Sequence, residues 1–182
     1  MTAEPLFSTM TRGATIKGPY RYDLWRTWSL VDRPSTCAWV MLNPSTADAD
    51  QDDPTIRRVI AYSKAWGHDQ LVVRNLFALR ARDPRDLLTA TDPVGPDNDL
   101  WLTTALAGVD RVVVAWGTGR YPRLAGERWR HVADLLAPLN PVCLRVARDG
   151  QPMHPLYQRA DVTPTPWEPR TTTTPDPRTA TS

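Results

Sequence analysis

Apolar and polar positions change their period several times along this chain, and each change marks an element. Across residues 20–31, Tyr20, Tyr22, Leu24, Trp28 and Leu30 fall on alternate positions, with Asp23, Thr27 and Ser29 among those between them. A period of two is that of one or two strands with one wet face. Arg33-Pro34-Ser35 then turns the chain. Residues 37–42, Cys-Ala-Trp-Val-Met-Leu, are apolar without alternation, the mark of a strand buried on both faces, as in parallel sheets covered by helices. This strand stops at Asn43-Pro44-Ser45, because Pro44 cannot donate to a ladder and biases Asn43 toward extended backbone.

A helical period follows. Asp53 can cap a helix with Pro54 at its first position, Ile56, Val59, Ile60 and Ser63 on one face, and Gly67 past its end. Residues 71–76 form the next strand, closing on Asn75-Leu76-Phe77. Asp83-Pro84 starts a short helix, Asp92-Pro93-Val94-Gly95-Pro96 is a rigid connector, and Asn98 caps a helix whose apolar face uses Leu102, Ala105 and Leu106. A third strand over 111–116 ends in Gly117-Thr118-Gly119, a helix over 124–136 aligns Trp129, Val132, Leu135 and Leu136, and a fourth strand over 142–146 leads into His154-Pro155-Leu156-Tyr157.

Strand, helix, strand, helix, strand, helix, strand predicts an α/β fold: a three-layer α/β/α sandwich with a central, mostly parallel four-stranded sheet. Residues 1–19, without a clear period, read as an N-terminal arm or edge element, 20–167 as the single domain, and 168–182, rich in Pro and Thr, as a disordered tail. The order has a consequence for loops. Asn43, Asn75, Gly117 and His154 each follow the carboxyl end of a different strand, so all four are expected on one rim, where open α/β sheets build their sites.

Composition changes this picture little. The 182 residues, 41% hydrophobic, suffice for one ordinary domain. A net charge of +2 and a pI near 8.7 permit nucleic-acid binding without arguing for it. Of the basic residues only Lys17 and Lys64 are lysine. Arginine favours bidentate phosphate contacts, but a GC-rich genome gives the same bias. Cys37 and Cys143 sit in apolar strand runs and are expected as buried free thiols, with no CxxC pair to suit zinc. With no signal-like or membrane-length apolar run, the expectation is a soluble, cytoplasmic protein that does not contact a membrane.

Several side chains can carry chemistry, each with a plainer alternative. Asn43 has a donor and an acceptor with which to orient water or a substrate amide, or it bonds its own turn. Asn75 matches an amide-like base edge or caps its strand. His154, constrained by Pro152 and Pro155, suits a donor to developing negative charge. Asp48, Asp50, Asp52 and Asp53 supply a general base or magnesium ligands, or else form a solvated loop with Asp53 as cap. Gly117-Thr118-Gly119 is only a fragment of a phosphate loop. Arg74, Arg80, Arg82, Arg120 and Arg148 are phosphate contacts or solvated surface. His68 and His131 receive no role.

The motifs Met41-Leu42-Asn43-Pro44-Ser45-Thr46-Ala47-Asp48, Asp52-Asp53-Pro54-Thr55, Trp66-Gly67, Asn75-Leu76-Phe77-Ala78, Asp83-Pro84, Asp92-Pro93-Val94-Gly95, Ala115-Trp116-Gly117 and His154-Pro155-Leu156-Tyr157 together resemble a bacterial and phage family catalogued as domain of unknown function 1643, over residues 20–167. More distantly, the chain resembles the uracil-DNA glycosylase superfamily. In the mismatch-specific, thymine-DNA branch the first motif, Gly-Ile-Asn-Pro, is similar to Leu42-Asn43-Pro44-Ser45, and the last begins His-Pro, like His154-Pro155. This chain has Met41-Leu42 where that branch has its glycine, and Leu156-Tyr157 where it has Ser-Pro.

That resemblance implies excision of a damaged or modified base from DNA by hydrolysis of the N-glycosidic bond, with no cofactor or metal, by a monomer whose partner is DNA. It implies that Asn43 positions the attacking water and His154 stabilises the departing base. Pro44, Ser45, Asn75, Phe77, Gly117, Pro155, Leu156 and Tyr157 would surround the base or the gap it leaves, with Asp48, Asp52 and Asp53 as acidic contributors. Two other classes stay open from the residues alone: a magnesium-dependent nucleotide or phosphoester hydrolase built on the acidic loop, and a non-catalytic binder of modified DNA.

Overall fold

A computed structural model describes residues 11–45, 47–104, 106 and 108–169. The apolar run without alternation becomes strand β3 (Thr36–Met41), buried at every position. Its side chains divide between two cores. Ala38 and Val40 pack with Leu102, Leu106, Trp129, Val132 and Leu136, whereas Cys37, Trp39 and Met41 pack with Ile56, Val59, Ile60 and Tyr62. Helix α1 (Pro54–Ala65) therefore covers one face, and α2 (Asn98–Thr104) and α3 (Leu124–Leu136) cover the other. Each large apolar side chain fully buried in this way contributes roughly 1.5–3 kcal/mol, which is why the alternating pattern is absent here.

The remaining strands are β1 (Thr11–Lys17), β2 (Tyr20–Thr27), β4 (Gln70–Asn75), β5 (Arg111–Val114), β6 (Val142–Cys143) and β7 (Thr165–Pro166). Among the described residues all seven form one sheet in the order β1-β2-β4-β3-β5-β6-β7. The fold is thus mixed α/β, and the expected four-stranded sheet is corrected to a seven-stranded one. β4, β3, β5 and β6 are parallel neighbours, while β1 with β2, β2 with β4, and β6 with β7 pair antiparallel. The additions close edges: the hairpin β1–β2 covers the free side of β4, and β7 covers the two-residue β6.

Residues 11–17, which have no apolar period, become an edge strand because β2 supplies the pairing. The buried residue of β1 is Gly13, and a Cβ there would lie 2.0 Å from the Trp25 ring. Residues 1–10 and 170–182 of the expected arm and tail lie outside the described residues. The expected strand over 142–146 shortens to β6, since the chain then folds back so that Val146 bridges Pro152.

Alternation in β2 is also corrected. Thr15 is opposite Asp23 but Ile16 is opposite Arg21, so Tyr22 is an extra residue, a β-bulge. Leu24 lies in the core under α1, whereas Tyr22 stacks on Trp101 of α2 at 6.2 Å between centroids and Asp23 pairs with Arg74. The bulge returns Arg21 to the α1 side, where its guanidinium donates to the carbonyl of Ala47.

Helix signals are used unequally. Asp53 caps α1, its Oδ1 accepting the Ile56 N–H at 2.8 Å, with Pro54 in the first turn. Asp83 caps a 3-10 turn, Pro84–Leu88. Asn98, expected as a cap, is instead the first residue of α2, and its amide donates to the carbonyls of Asn75 and Leu76 at 3.1 and 2.9 Å. It ties α2 to the end of β4. Ala105 lies outside the described residues. α3 opens on left-handed backbone at Ala125, Gly126 and Glu127 before it runs regularly.

Candidate functional site

Strands β3 and β5 run parallel, so the loops leaving their carboxyl ends emerge on the same rim. At the end of β3 the side chain of Asn43 turns back on its own loop. Its Nδ2 donates to the carbonyls of Pro44 at 2.9 Å and Ala81 at 2.8 Å. Carbonyl oxygens only accept, so the nitrogen must face them and Oδ1 must face away. That oxygen takes no hydrogen bond from a described residue and is left as an acceptor.

His154 reaches the same rim through a folded-back loop. The Gly117 N–H donates to Pro152 at 3.0 Å and the Met153 N–H to Arg145 at 2.9 Å, laying the loop across the end of β5. Gly117 has φ +85°, and a Cβ there would stand 3.6 Å from the His154 Cβ. His154 caps the 3-10 turn Pro155–Tyr157, its Nδ1 accepting the Leu156 N–H across a long 3.4 Å. With Nδ1 an acceptor, the ring proton sits on Nε2. Burial holds the His154 pKa below its ordinary 6.5, with Asp53 opposing the shift. The ring is a neutral donor at neutral pH.

A cleft of about 360 Å³ joins these groups, lined by Asn43, Ser45, Asp53, Gly117, His154 and Tyr157. Trp116, fixed by its Nε1 donating to Gln151 at 2.8 Å, and the side chains of Arg21 and Arg82 complete its wall. Asp53 uses Oδ1 to cap α1 and acts electrostatically on both His154 and Arg21. Tyr157, 79% exposed, stands at the mouth with its ring 5.7 Å from that of His154.

Sequence reasoning missed Arg21. It lies in a stretch that reads as half-exposed alternation, and only the bulge turns it inward. The sequence signal was an arginine flanked by Tyr20 and Tyr22. Burial lowers its pKa to about 10, Asp53 working against the shift and the charges of Arg80 and Arg26 adding to it.

Other expected site residues stand elsewhere. Asn75 is buried at the end of β4, outside the cleft, with neither amide atom hydrogen-bonded to a described residue. Phe77 belongs to the core with Leu102 and Trp129. Pro44 and Pro155 are buried beside the cleft, and Leu156 turns outward over Pro54 and Arg57. Asn75 and Phe77 depart for one reason: the end of β4 passes under the next layer, where packing encloses the side chains.

The acidic loop is largely structural. Asp48 Oδ1 accepts the N–H groups of Asp50 and Gln51, both at 2.9 Å, and these bonds lower its pKa. Asp52 pairs with the buried Arg26 at 2.7 Å. Among the described residues no group of three or more His, Cys, Asp or Glu side chains is arranged to hold a metal ion. Of the arginines, Arg74 is buried against Asp23 and over Trp101 rather than facing a ligand, and Arg120 lies over Tyr121. Arg80 and Arg82 flank Ser45 in a shallow hollow beside the cleft; Arg148 is exposed. Both cysteines are buried and free, burial pushing the Cys37 thiol up to about 12. No described helix is long and apolar enough to cross a membrane.

A family model described as "Protein of unknown function (DUF1643)" matches residues 21–156. Neither the curated proteins nor the solved structures give a match.

Proposed function

The chain belongs to the DUF1643 family, whose description carries no activity, and from the cleft itself we propose that it excises a damaged or modified base from DNA by hydrolysing the N-glycosidic bond. One observation carries this reading: Asn43, with only its acceptor oxygen free, and His154, a neutral Nε2–H donor, line one cleft. The cleft, about 360 Å³, lies in the size range of small-ligand sites. The resemblance to uracil-DNA glycosylases gives the same two residues the same two roles.

The chemistry divides between them. When the bond from C1′ to the base nitrogen breaks, its electron pair leaves on the base and positive charge develops on the sugar. His154 donates from Nε2 to the base as it becomes negative, an interaction stronger in the transition state than in the ground state. Asn43 Oδ1 accepts from a water whose oxygen bonds C1′. Asp53, with Oδ2 free, faces the sugar's positive charge and takes the proton that the water loses, while the base gains a proton on release. Removing one such donor costs about 10²–10³ in rate.

A base must leave the stack before its sugar bond is reached. The exposed Tyr157 at the mouth of the cleft offers an aromatic face to the extruded base or to the gap it leaves, against a wall backed by the buried Trp116. The test is incubation in EDTA with labelled DNAs carrying uracil, hydroxymethyluracil, hydroxymethylcytosine or glucosylated hydroxymethylcytosine, then alkaline cleavage at abasic sites. Strand breaks that vanish in Asn43→Ala and His154→Ala are expected. A complete absence of breaks with every DNA would overturn the proposal.

A further inference from the structure

Four arginines are buried among the described residues: Arg21, Arg26, Arg74 and Arg128. Three of them have a carboxylate. Arg26 pairs with Asp52, Arg74 with Asp23, and Arg128 with Asp99. Arg21, 2% exposed, has none within ion-pair distance among the described residues. Its hydrogen bond is to the carbonyl of Ala47, and its Nε has no partner. Burying a cation without a counter-charge is strongly unfavourable, and the fold offsets it with a carboxylate at the other three positions.

The surroundings of Arg21 sharpen the contrast. It lines the cleft together with Arg82 and Ser45. Arg82 and Ser45 are shared with the adjoining hollow, which adds Arg80. None of Ser45, Arg80 and Arg82 is hydrogen-bonded or ion-paired to a described residue through its side chain. Three guanidinium groups and a hydroxyl thus converge where the described carboxylates are already engaged: Asp53 caps α1, and Asp48, which acts electrostatically on Arg21 and Arg80, accepts the N–H groups of Asp50 and Gln51. Guanidinium forks match the oxygens of a phosphate bidentately.

We infer that Arg21, Arg82 and Ser45 form a phosphate subsite in the wall of the cleft, which Arg80 extends along the adjoining hollow. This rests on the cleft being the site proposed above, and it adds the part of the ligand that the arginines hold. The phosphate is a diester in a DNA strand or the monoester of a free nucleotide. The hollow leads out of the cleft rather than closing it.

The test measures binding of the full chain to a labelled single-stranded oligonucleotide by fluorescence anisotropy over a range of salt. Arg80→Ala and Arg82→Ala, both at exposed positions, are each expected to weaken binding about tenfold at low salt. Each is also expected to reduce the slope of log affinity against log salt by about 0.7, the contribution of one phosphate contact in a single strand. Because Arg21 also holds Ala47, its Nε–H resonance is followed in the unaltered protein by NMR. It should shift on adding the oligonucleotide or deoxyuridine monophosphate, and stay in place with deoxyuridine.

Competition then separates the sources: displacement by deoxyuridine monophosphate at equal concentration identifies a free nucleotide, and resistance to it identifies a strand. Unchanged affinity and salt slope in both variants, or a still Arg21 resonance at saturation, would overturn the subsite. Excision that persists with unaltered salt dependence in the variants overturns the subsite alone. Arginine-dependent binding without excision of any base overturns the base-excision reading alone.

Discussion

The carboxamide of Asn43 donates to the carbonyl of Ala81 at 2.8 Å, so the residue that leaves β3 is positioned by a segment that follows β4. Asn43→Ala removes this bond and the one to Pro44, lowering stability by about 1–3 kcal/mol at roughly 0.5–1.5 kcal/mol each. Asn43→Asp keeps the shape but aims a carboxylate oxygen at two carbonyls. The aspartate variant is therefore expected to be less stable than the alanine variant in urea unfolding, and equal stability with the wild type would remove the argument for the orientation of the amide.

His154 gives the cleft a dependence on pH. Its folded pKa lies below 6.5, chiefly through burial, so the unfolded chain takes up a proton before the folded one does. Above pH 6.5 both forms are neutral and its contribution is complete; stability is lost as pH falls from 6.5 through the folded value. His68, also lowered chiefly by burial, acts in the same direction. Titration of the imidazole C–H resonances should give midpoints below 6.5 for both. A midpoint for His154 at or above 6.5 would contradict the burial that keeps this ring neutral.

Two glycines test different walls of the molecule. Gly13 passes under Trp25 with no room for a Cβ, so Gly13→Ala displaces the ring and costs roughly 1–3 kcal/mol by overpacking. Gly117 has room, with its nearest neighbour at 3.6 Å, but a φ of +85°, so Gly117→Ala costs roughly 1–2 kcal/mol through backbone strain alone. Crystal structures of the two variants distinguish the causes: the Trp25 ring should move in the first, and the backbone beside His154 in the second.

Asn75 and Asn98 are neighbours with opposite expectations. Asn98 donates to two carbonyls at the end of β4, and Asn98→Ala leaves both without that donor, costing about 1–3 kcal/mol. The amide of Asn75 has no partner among the described residues, so Asn75→Leu is expected to leave the midpoint of thermal unfolding unchanged or raise it. A clear fall would mean that a buried water satisfies that amide.

Most of the parallel centre was legible because full burial leaves a trace: the runs that became β3 and β5 are almost wholly apolar without alternation, and Leu71-Val72-Val73 marks β4 in the same way. The cap at Asp53 was equally plain, since Asp-Pro before a periodic segment has few other uses. What sequence did not reveal depends on partners distant along the chain. β1 carries no apolar period and is a strand only because β2 lies beside it, and β6 is cut short by a loop that returns to Pro152. The cleft was legible in Asn43, Ser45, Asp53, Gly117 and His154, which follow strand ends or open a helix. Asn75 and Phe77 follow a strand end just as closely, yet the layer formed by α2 and α3 encloses that end. Arg21 was hidden for another reason: no residue type announces a bulge.

The extra residue at Tyr22 makes the charge of the cleft a matter of counting. Give β1 one more residue between Thr15 and Ile16, and β2 regains an even beat: Tyr22 gains a partner and turns its ring toward Ala47, while Arg21 swings to the Trp101 side of the sheet. The hairpin keeps its ladder almost intact, while its wall of the cleft changes from cationic to apolar. A single-residue insertion opposite Tyr22 thus retunes what this cleft attracts more thoroughly than any one substitution, without touching Asn43 or His154.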